Sequence, residues 1–448
     1  MRTVWKIVRR LLMGIVALIL LLIIWFIASS FYEETLDPNF NNFFHTDAPV
    51  PDEQNGYLAL SGIDAPNEAK MVEYGRTISE RYKQMPENYS YIVNNQGGNS
   101  LNCWISPKSS PDKSTNNTCI TAEKLTQLLA ENAVFLKNYR SLYRFSRFQR
   151  NQLGDILFGS DLIRVHELSL AQLVLTANQG NAQNAMAGWI ADTQFIQRLM
   201  PDKASMIDKA IFLVLYAMNI EAYPLIASQL TPEQLAGYKP QLYAIFDTPA
   251  FGAIGWDVAA TMRWEKEFIF PLLDDTIKGD AELSQLKIRP FASYKPQATR
   301  NGFYEFAHDL VELSQTTPAE MAQKDSEMRE KYNRKKLENN MVTFFLYNTP
   351  GKLFLSGVYA WQDLLLTATN NFSRRQLLKL YTEARIARIS AGQMKQFLAT
   401  SLIKNPLTSQ PFKYDEAKQL LSVVIDSQMR FELHYNEMPT QSTLSTNK

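Results

Sequence analysis

His166 and Glu167 stand side by side in "RVHEL", with Arg164 two residues before the histidine. An imidazole beside a carboxylate is a base with an orienting partner, the least that proton transfer needs. On a helix, however, adjacent positions point to different faces, and a histidine in an amphipathic helix reads as a hydrogen-bonded core or boundary residue. The remaining histidines, His45, His308 and His434, are few and far apart for a three-histidine metal site. Paired carboxylates are the second possibility, since two acids suffice for glycoside hydrolysis. The candidates are Glu265 with Glu267 in "RWEKEF", and Asp274 with Asp275; Trp256 and Trp264 nearby would line a sugar-stacking cleft. The same tryptophans also suit a helical core, and among 45 acidic residues close pairs arise by chance.

Other chemistries lack their signatures. The nucleophile elbow G-x-S-x-G, the zinc motif H-E-x-x-H, and the phosphate-cradling G-x-x-x-x-G-K and G-x-G-x-x-G are absent from the chain. No catalytic residue and no cofactor is therefore assigned. The two cysteines, Cys103 and Cys119, both fall in "NCWISPKSSPDKSTNNTCI". In an oxidising compartment such a close pair reads as a disulfide. Two cysteines without a nearby histidine make a poor zinc site, and two free thiols are the third reading. The intervening residues are turn formers that build no core, and closing a loop of that size contributes roughly 3 kcal/mol in the chain-entropy view.

The elements that would position these groups begin with "LLMGIVALILLLIIWFIASSFYEE". Residues 11–32 carry no charge and are long enough to cross a bilayer core as a helix. Ala28-Ser29-Ser30 could pass for a cleavage site, but signal-peptide cores are shorter, so the run reads as an uncleaved anchor. Arg2, Lys6, Arg9 and Arg10 precede it, whereas Glu33, Glu34 and Asp37 follow. The positive-inside rule then leaves residues 1–10 in the cytoplasm and the bulk outside. "KAIFLVLYAMNIEAYPLI" is interrupted at Glu221 and Pro224 and reads as a buried core helix.

With the four basic residues ahead of the anchor set aside, 42 of the 46 face 45 acidic ones, a net charge near −3. That balance offers no footprint for nucleic acid. The expected order is a polar connector at 33–54, a helical extracytoplasmic domain at 55–435 with a disulfide-stapled loop at 86–120, and a disordered tail at 436–448. Thr121 reads as an N-cap, and "TPEQL" at Thr231 and "TPAEM" at Thr317 each place a hydroxyl cap before a proline. Between 160 and 230, helix-sized segments with short polar breaks follow the rhythm of stacked helical hairpins. "KDSEMREKYNRKK" has the mixed signs of a solvated helix face. Near the C-terminus, "PLTSQPFKYDEAKQLLSVVIDS" alternates apolar residues after a turn, predicting a small β-hairpin. The fold class is mainly α.

Four blocks taken together carry a resemblance: "NGYLALSGIDAP", "ADTQFIQRLMPDKASMIDKAIF", "NTPGKLFLSGV" and "NPLTSQPFKYD". The chain resembles a group of uncharacterised single-span bacterial envelope proteins, whose closing motif reads Asp-Pro-Phe-x-Gly-x-Pro-x-x-Tyr. Pro406, Pro411 and Tyr414 match that motif, whereas Asn405, Leu407 and Ser409 depart from it. The resemblance implies an inner-membrane protein with a periplasmic domain and brings no activity or catalytic residue. Two functions compete: a module that binds or scaffolds another envelope protein, and a tethered cell-wall hydrolase using paired carboxylates. A lipid or small-ligand carrier is a third, which would need a large apolar cavity.

Overall fold

A computed structural model describes residues 13–17, 20, 21, 24, 32–45, 48–84, 101–105, 120–150, 159–252, 254–279, 294–338, 348–424 and 430–435. Residues 1–10, expected in the cytoplasm, Cys119, most of the loop expected to be stapled (86–120) and the tail from residue 436 lie outside them. The chain divides into two compact units: residues 1–46, 266–313 and 323–362 form the smaller, and residues 47–265, 314–322 and 363–448 the larger.

The larger unit opens on α1 (Gly56–Ser61) and α2 (Met71–Gln84), followed by the short α3 (Asn102–Ile105), α4 (Ala122–Glu131) and α5 (Ala133–Ser141). Three long helices come next, α6 (Gly159–Asn178), α7 (Ala182–Leu199) and α8 (Met206–Ala227), each packed on the other two. This is the expected succession of hairpins, and its corners are sharply specified. Gly180, at φ +88°, ends α6 in a Schellman turn: its N–H donates to Ala177 O and that of Asn181 to Thr176 O. Ser205 opens α8 with a reciprocal capping box to Asp208. The helix runs through both Glu221 and Pro224 to Ala227, because a proline in the last turn removes only one N–H bond from an end packed on all sides.

The block "NGYLALSGIDAP" forms α1 and its C-terminal turn. Asn55 caps it by accepting from the N–H of Tyr57, and Asn138 donates to the carbonyls of Ile63 and Ala65 beyond it. A Cβ on Gly62 would lie 2.0 Å from Met71 O, and one on Gly75 1.9 Å from Leu58 O. The backbones of α1 and α2 thus touch, and glycine is what that approach requires.

Thr231 caps α9 (Pro232–Gly237) as expected, and shares a reciprocal box with Gln234; α10 (Lys239–Phe246) follows, and α11 (Val258–Gly279) passes from the larger unit into the smaller at residue 266. After the smaller unit's helices come α15 (Gln362–Ile386) and α16 (Met394–Thr400). The C-terminal hairpin is part of a three-stranded antiparallel meander: β1 (Lys413–Asp415), β2 (Leu420–Val424) and β3 (Arg430–His434). Leu421 faces Leu433 and Val423 faces Phe431, all four buried, so the inward alternation continues into a strand the sequence reading left out.

The smaller unit is built on α12 (Pro296–Ser314), α13 (Pro318–Glu338, from residue 323) and α14 (Thr349–Val358). Its core is aromatic: Phe303 packs against Phe44, Phe270, Phe354 and Trp361, and Phe306 against Tyr332 and Tyr359. Residues 33–45, expected to be part of a flexible connector, lie on this unit, with Phe40 and Phe44 buried. Two apolar aromatic rings within five residues gain more from burial than a spacer gains from freedom.

Candidate functional site

His166 of α6 is completely buried, as are Tyr139 of α5, Asp192 of α7 and Asn219 of α8. Tyr139 donates to Asp192 Oδ1 at 2.9 Å, Tyr143 donates to the same oxygen at 2.5 Å, and Asn219 Nδ2 donates to Oδ2 at 2.9 Å. His166 Nε2 is 3.1 Å from the carbonyl of Leu215, and Nδ1 is 2.8 Å from Tyr139 Oη. Burial lowers the imidazole's pKa, and Asp192 opposes that shift. Burial also raises both tyrosines, with the Asp192 charge adding to it, so their hydroxyls stay protonated as donors. Each long helix supplies at least one member. With His166, Tyr139, Asp192 and Asn219 fully buried and Tyr143 partly so, the cluster registers four helices against one another. Glu167, on another face, does not join it: half-buried, it is pushed up to about 6 by burial, which Arg164 partly offsets.

A second charged cluster occupies the corner between α7 and α8. Glu265 Oε1 accepts from the N–H of Met206 at 2.5 Å, and Asp208 Oδ2 accepts from that of Ser205 at 3.0 Å. Two carboxylates therefore sit on the positive end of α8. Arg150 donates to Asp208 at 3.1 Å and lies 4.5 Å above the ring of Trp264, while Tyr57 donates to the other oxygen of Asp208. Burial pushes Glu265 up to about 7, with the Met206 N–H and Arg150 pulling down and Asp208 pushing up. On the opposite side of the corner, Lys209 Nζ donates to the carbonyls of Leu199, Met200 and Asp202 at 2.6–2.8 Å, ending α7 with a cation. Burial pulls Lys209 down to about 7 against three nearby aspartates. Three carbonyl acceptors use all three N–H bonds of an ammonium, so the charged form is the one this pocket holds.

The same device recurs. Arg375 donates to Ile245 O and Gln376 to Phe246 O at the end of α10, and Arg385 donates to the carbonyls of Ser228 and Leu230 beyond α8. Sequence reading missed Asp192, Lys209 and Arg375. The signal was there for the first two: Asp192 falls on the apolar row Trp189, Ile196, Leu199, and Lys209 on the row Met206, Leu213, Tyr216. A charge on such a row must find buried partners.

Glu265 and Glu267 are not brought together as a pair. Glu265 caps α8, and Glu267 stands two residues on, on another side of α11. Asp274 accepts from Arg300 at 2.6 Å and from Tyr294 at 3.1 Å; the side chain of Asp275 lies outside the described residues. Trp256 donates its indole N–H to Thr261 and is fully buried, so neither tryptophan lines an open cleft. His45 and His434 are exposed, and His308 lies beside Asp309 and Glu312 with ligand atoms within 4.8 Å of one another. Lys331 and Tyr332 already donate to Asp309 Oδ2, at 2.5 and 2.8 Å, so positive charge occupies that face. Part of the charge run on α13 is thus spent on α12, since Lys335 also pairs with Glu305.

Pairing of Cys103 with Cys119 lies outside the described residues. Their neighbours do meet: Trp104 donates its indole N–H to Ile120 O at 3.0 Å, and Leu101 and Ile105 are buried. Comparison with protein-family models, with curated proteins and with solved structures returned no match.

Proposed function

We propose that this is a single-pass inner-membrane protein, N-terminus in the cytoplasm, whose periplasmic helical domain binds or scaffolds another envelope protein. The observation that carries the membrane half is the state of the N-terminal run. Its described residues are helical, and Met13, Ile15, Val16, Leu20, Leu21 and Ile24 expose 48–63% of their surface. Apolar helical residues uncovered by protein are stable in a bilayer and not in water. The basic residues before it and the acidic ones after it support the orientation.

The binding half rests on α8. This helix is apolar enough to span a membrane, with mean hydropathy 1.7, yet 61% of it is buried in the fold. Its outward row is also apolar: Ile207 is 72% and Val214 45% exposed, with Ala210, Ile211, Ala217 and Met218 half-exposed between and beyond them. A row at i, i+3, i+4, i+7 is the form a partner helix packs against. The buried charges, meanwhile, are taken up by helix ends and helix registration, which leaves a hydrolase with paired carboxylates without a supporting constellation. The test is a photo-crosslinking residue at Ile207 or Val214 in the native membrane. Adducts with one envelope protein are expected at both sites and not at Glu233 on α9. The absence of adducts, together with turnover of peptidoglycan by the purified full chain, would reverse the choice.

A further inference from the structure

The chain leaves almost no slack between the apolar run and the smaller unit, and we infer from this that the smaller unit rests on the lipid headgroup layer by the end that carries the first turns of α12 and α14. The inference rests on the membrane-anchor reading. The uncharged run ends at Tyr32, and the next residue is already part of the fold: Glu33 Oε1 accepts from the N–H groups of Gln297 at 2.8 Å and Ala298 at 3.2 Å. Asn301, one turn on, continues the attachment. Its Nδ2 donates to Thr35 O and to Glu34 Oε2, and its Oδ1 accepts from the N–H of Asp37. Phe40 and Phe44 then insert beside Phe270 and Phe303. Six of the first twelve residues after the run are thereby tied to the smaller unit.

Consecutive Cα atoms are about 3.8 Å apart, and the headgroup layer on each side of a bilayer is roughly 5–8 Å deep. A run that spans to Tyr32 therefore places the first turn of α12 within that layer or directly against it. α14 begins at the same end. Asn348 Oδ1 accepts from the N–H of Lys295 at 3.0 Å, its Nδ2 donates to Thr299, and Leu355 further along meets Gly302, so the two helices run side by side in one direction. Tyr32, 60% exposed, is presented there, and Leu353, 59% exposed, lies just past the first turn of α14. An amphipathic ring and an exposed leucine at that depth have the interface as their natural surroundings.

The experiment uses the full chain reconstituted in phosphatidylethanolamine–phosphatidylglycerol vesicles, with a fluorescent amino acid in place of Leu353 or, as control, of the exposed Glu312. Glu312 lies about 22 Å along α12 from Gln297 at 1.5 Å per residue. A nitroxide carried on the lipid headgroup should quench the fluorophore at 353 several-fold more than that at 312, and twelve Gly/Ser residues inserted between Tyr32 and Glu33 should abolish the difference. Equal, weak quenching at both sites in protein that floats with the vesicles would overturn the docking while leaving the anchor standing. Protein that does not float with the vesicles would overturn both.

Discussion

At the level of single residues, Glu265 is a buried helix cap, and this has a signed pH signature. Its pKa is raised from 4.5 to about 7. A carboxyl that binds its proton more tightly when folded stabilises the fold below pH 4.5 and loses that contribution as pH rises to 7. The span, at 1.36 kcal/mol per pH unit, is about 3 kcal/mol. His166 works in the opposite sense: with its pKa lowered by burial, it withdraws stability as pH falls below 6.5. Glu265→Gln keeps an oxygen for the Met206 N–H and removes only the titration. Subtracting the variant's unfolding free energy from that of the parent at each pH therefore isolates Glu265. The difference should favour the parent least at pH 7 and above and grow toward pH 4.5. A difference independent of pH would contradict the assignment. At the same scale, Lys209→Met should cost about 3 kcal/mol in urea unfolding, because three carbonyls at the end of α7 lose their donors. A variant as stable as the parent would show that the ammonium does not hold that corner.

Among the elements, the contact of α1 with α2 is the least forgiving. Gly62→Ala places a methyl group on Met71 O and should destabilise by about 3 kcal/mol, whereas Gly237→Ala, which meets open space, should cost nothing or help slightly. Equal effects would mean that the two backbones do not touch. The stapled loop belongs to this scale too. Trp104 and Ile120 flank the cysteines and are bonded, which supports the Cys103–Cys119 disulfide as a proposal. Thiol labelling of the native, oxidised chain should modify neither cysteine; modification of both would end the proposal. Much of this level was legible in advance. Thr121 and Thr231 announce their caps because capping is local chemistry written within four residues, and the box of Ser205 with Asp208 was written as locally but not read. The third strand was not legible, since β3 is specified by its pairing with β2 and not by its own short pattern. Nor was the anchorage of residues 33–45: prolines and asparagines spoke for a spacer, and only partners some 260 positions away make Glu33 and Asn301 a joint.

For the whole molecule, the buried charges explain why sequence reading found candidate chemistry without finding a site. Glu265, Lys209 and Arg375 were either invisible or misleading, because their partners are carbonyls and N–H groups at helix ends, which carry no sequence signature, and the partners of Asp192 are side chains brought in from other helices. The proposed function rests on two surface features, the apolar run at the N-terminus and the outward row of α8. The central claim is that the run holds the chain in the inner membrane with the helical units outside. It is tested most directly by fusing alkaline phosphatase, which folds only outside the cytoplasm, after Lys448, and in parallel a reporter active only in the cytoplasm. Phosphatase activity in the membrane fraction, resistant to carbonate extraction, with a silent cytoplasmic reporter, is the predicted result. An active cytoplasmic reporter, or phosphatase released with the soluble periplasm on a chain beginning near Phe31, would contradict it.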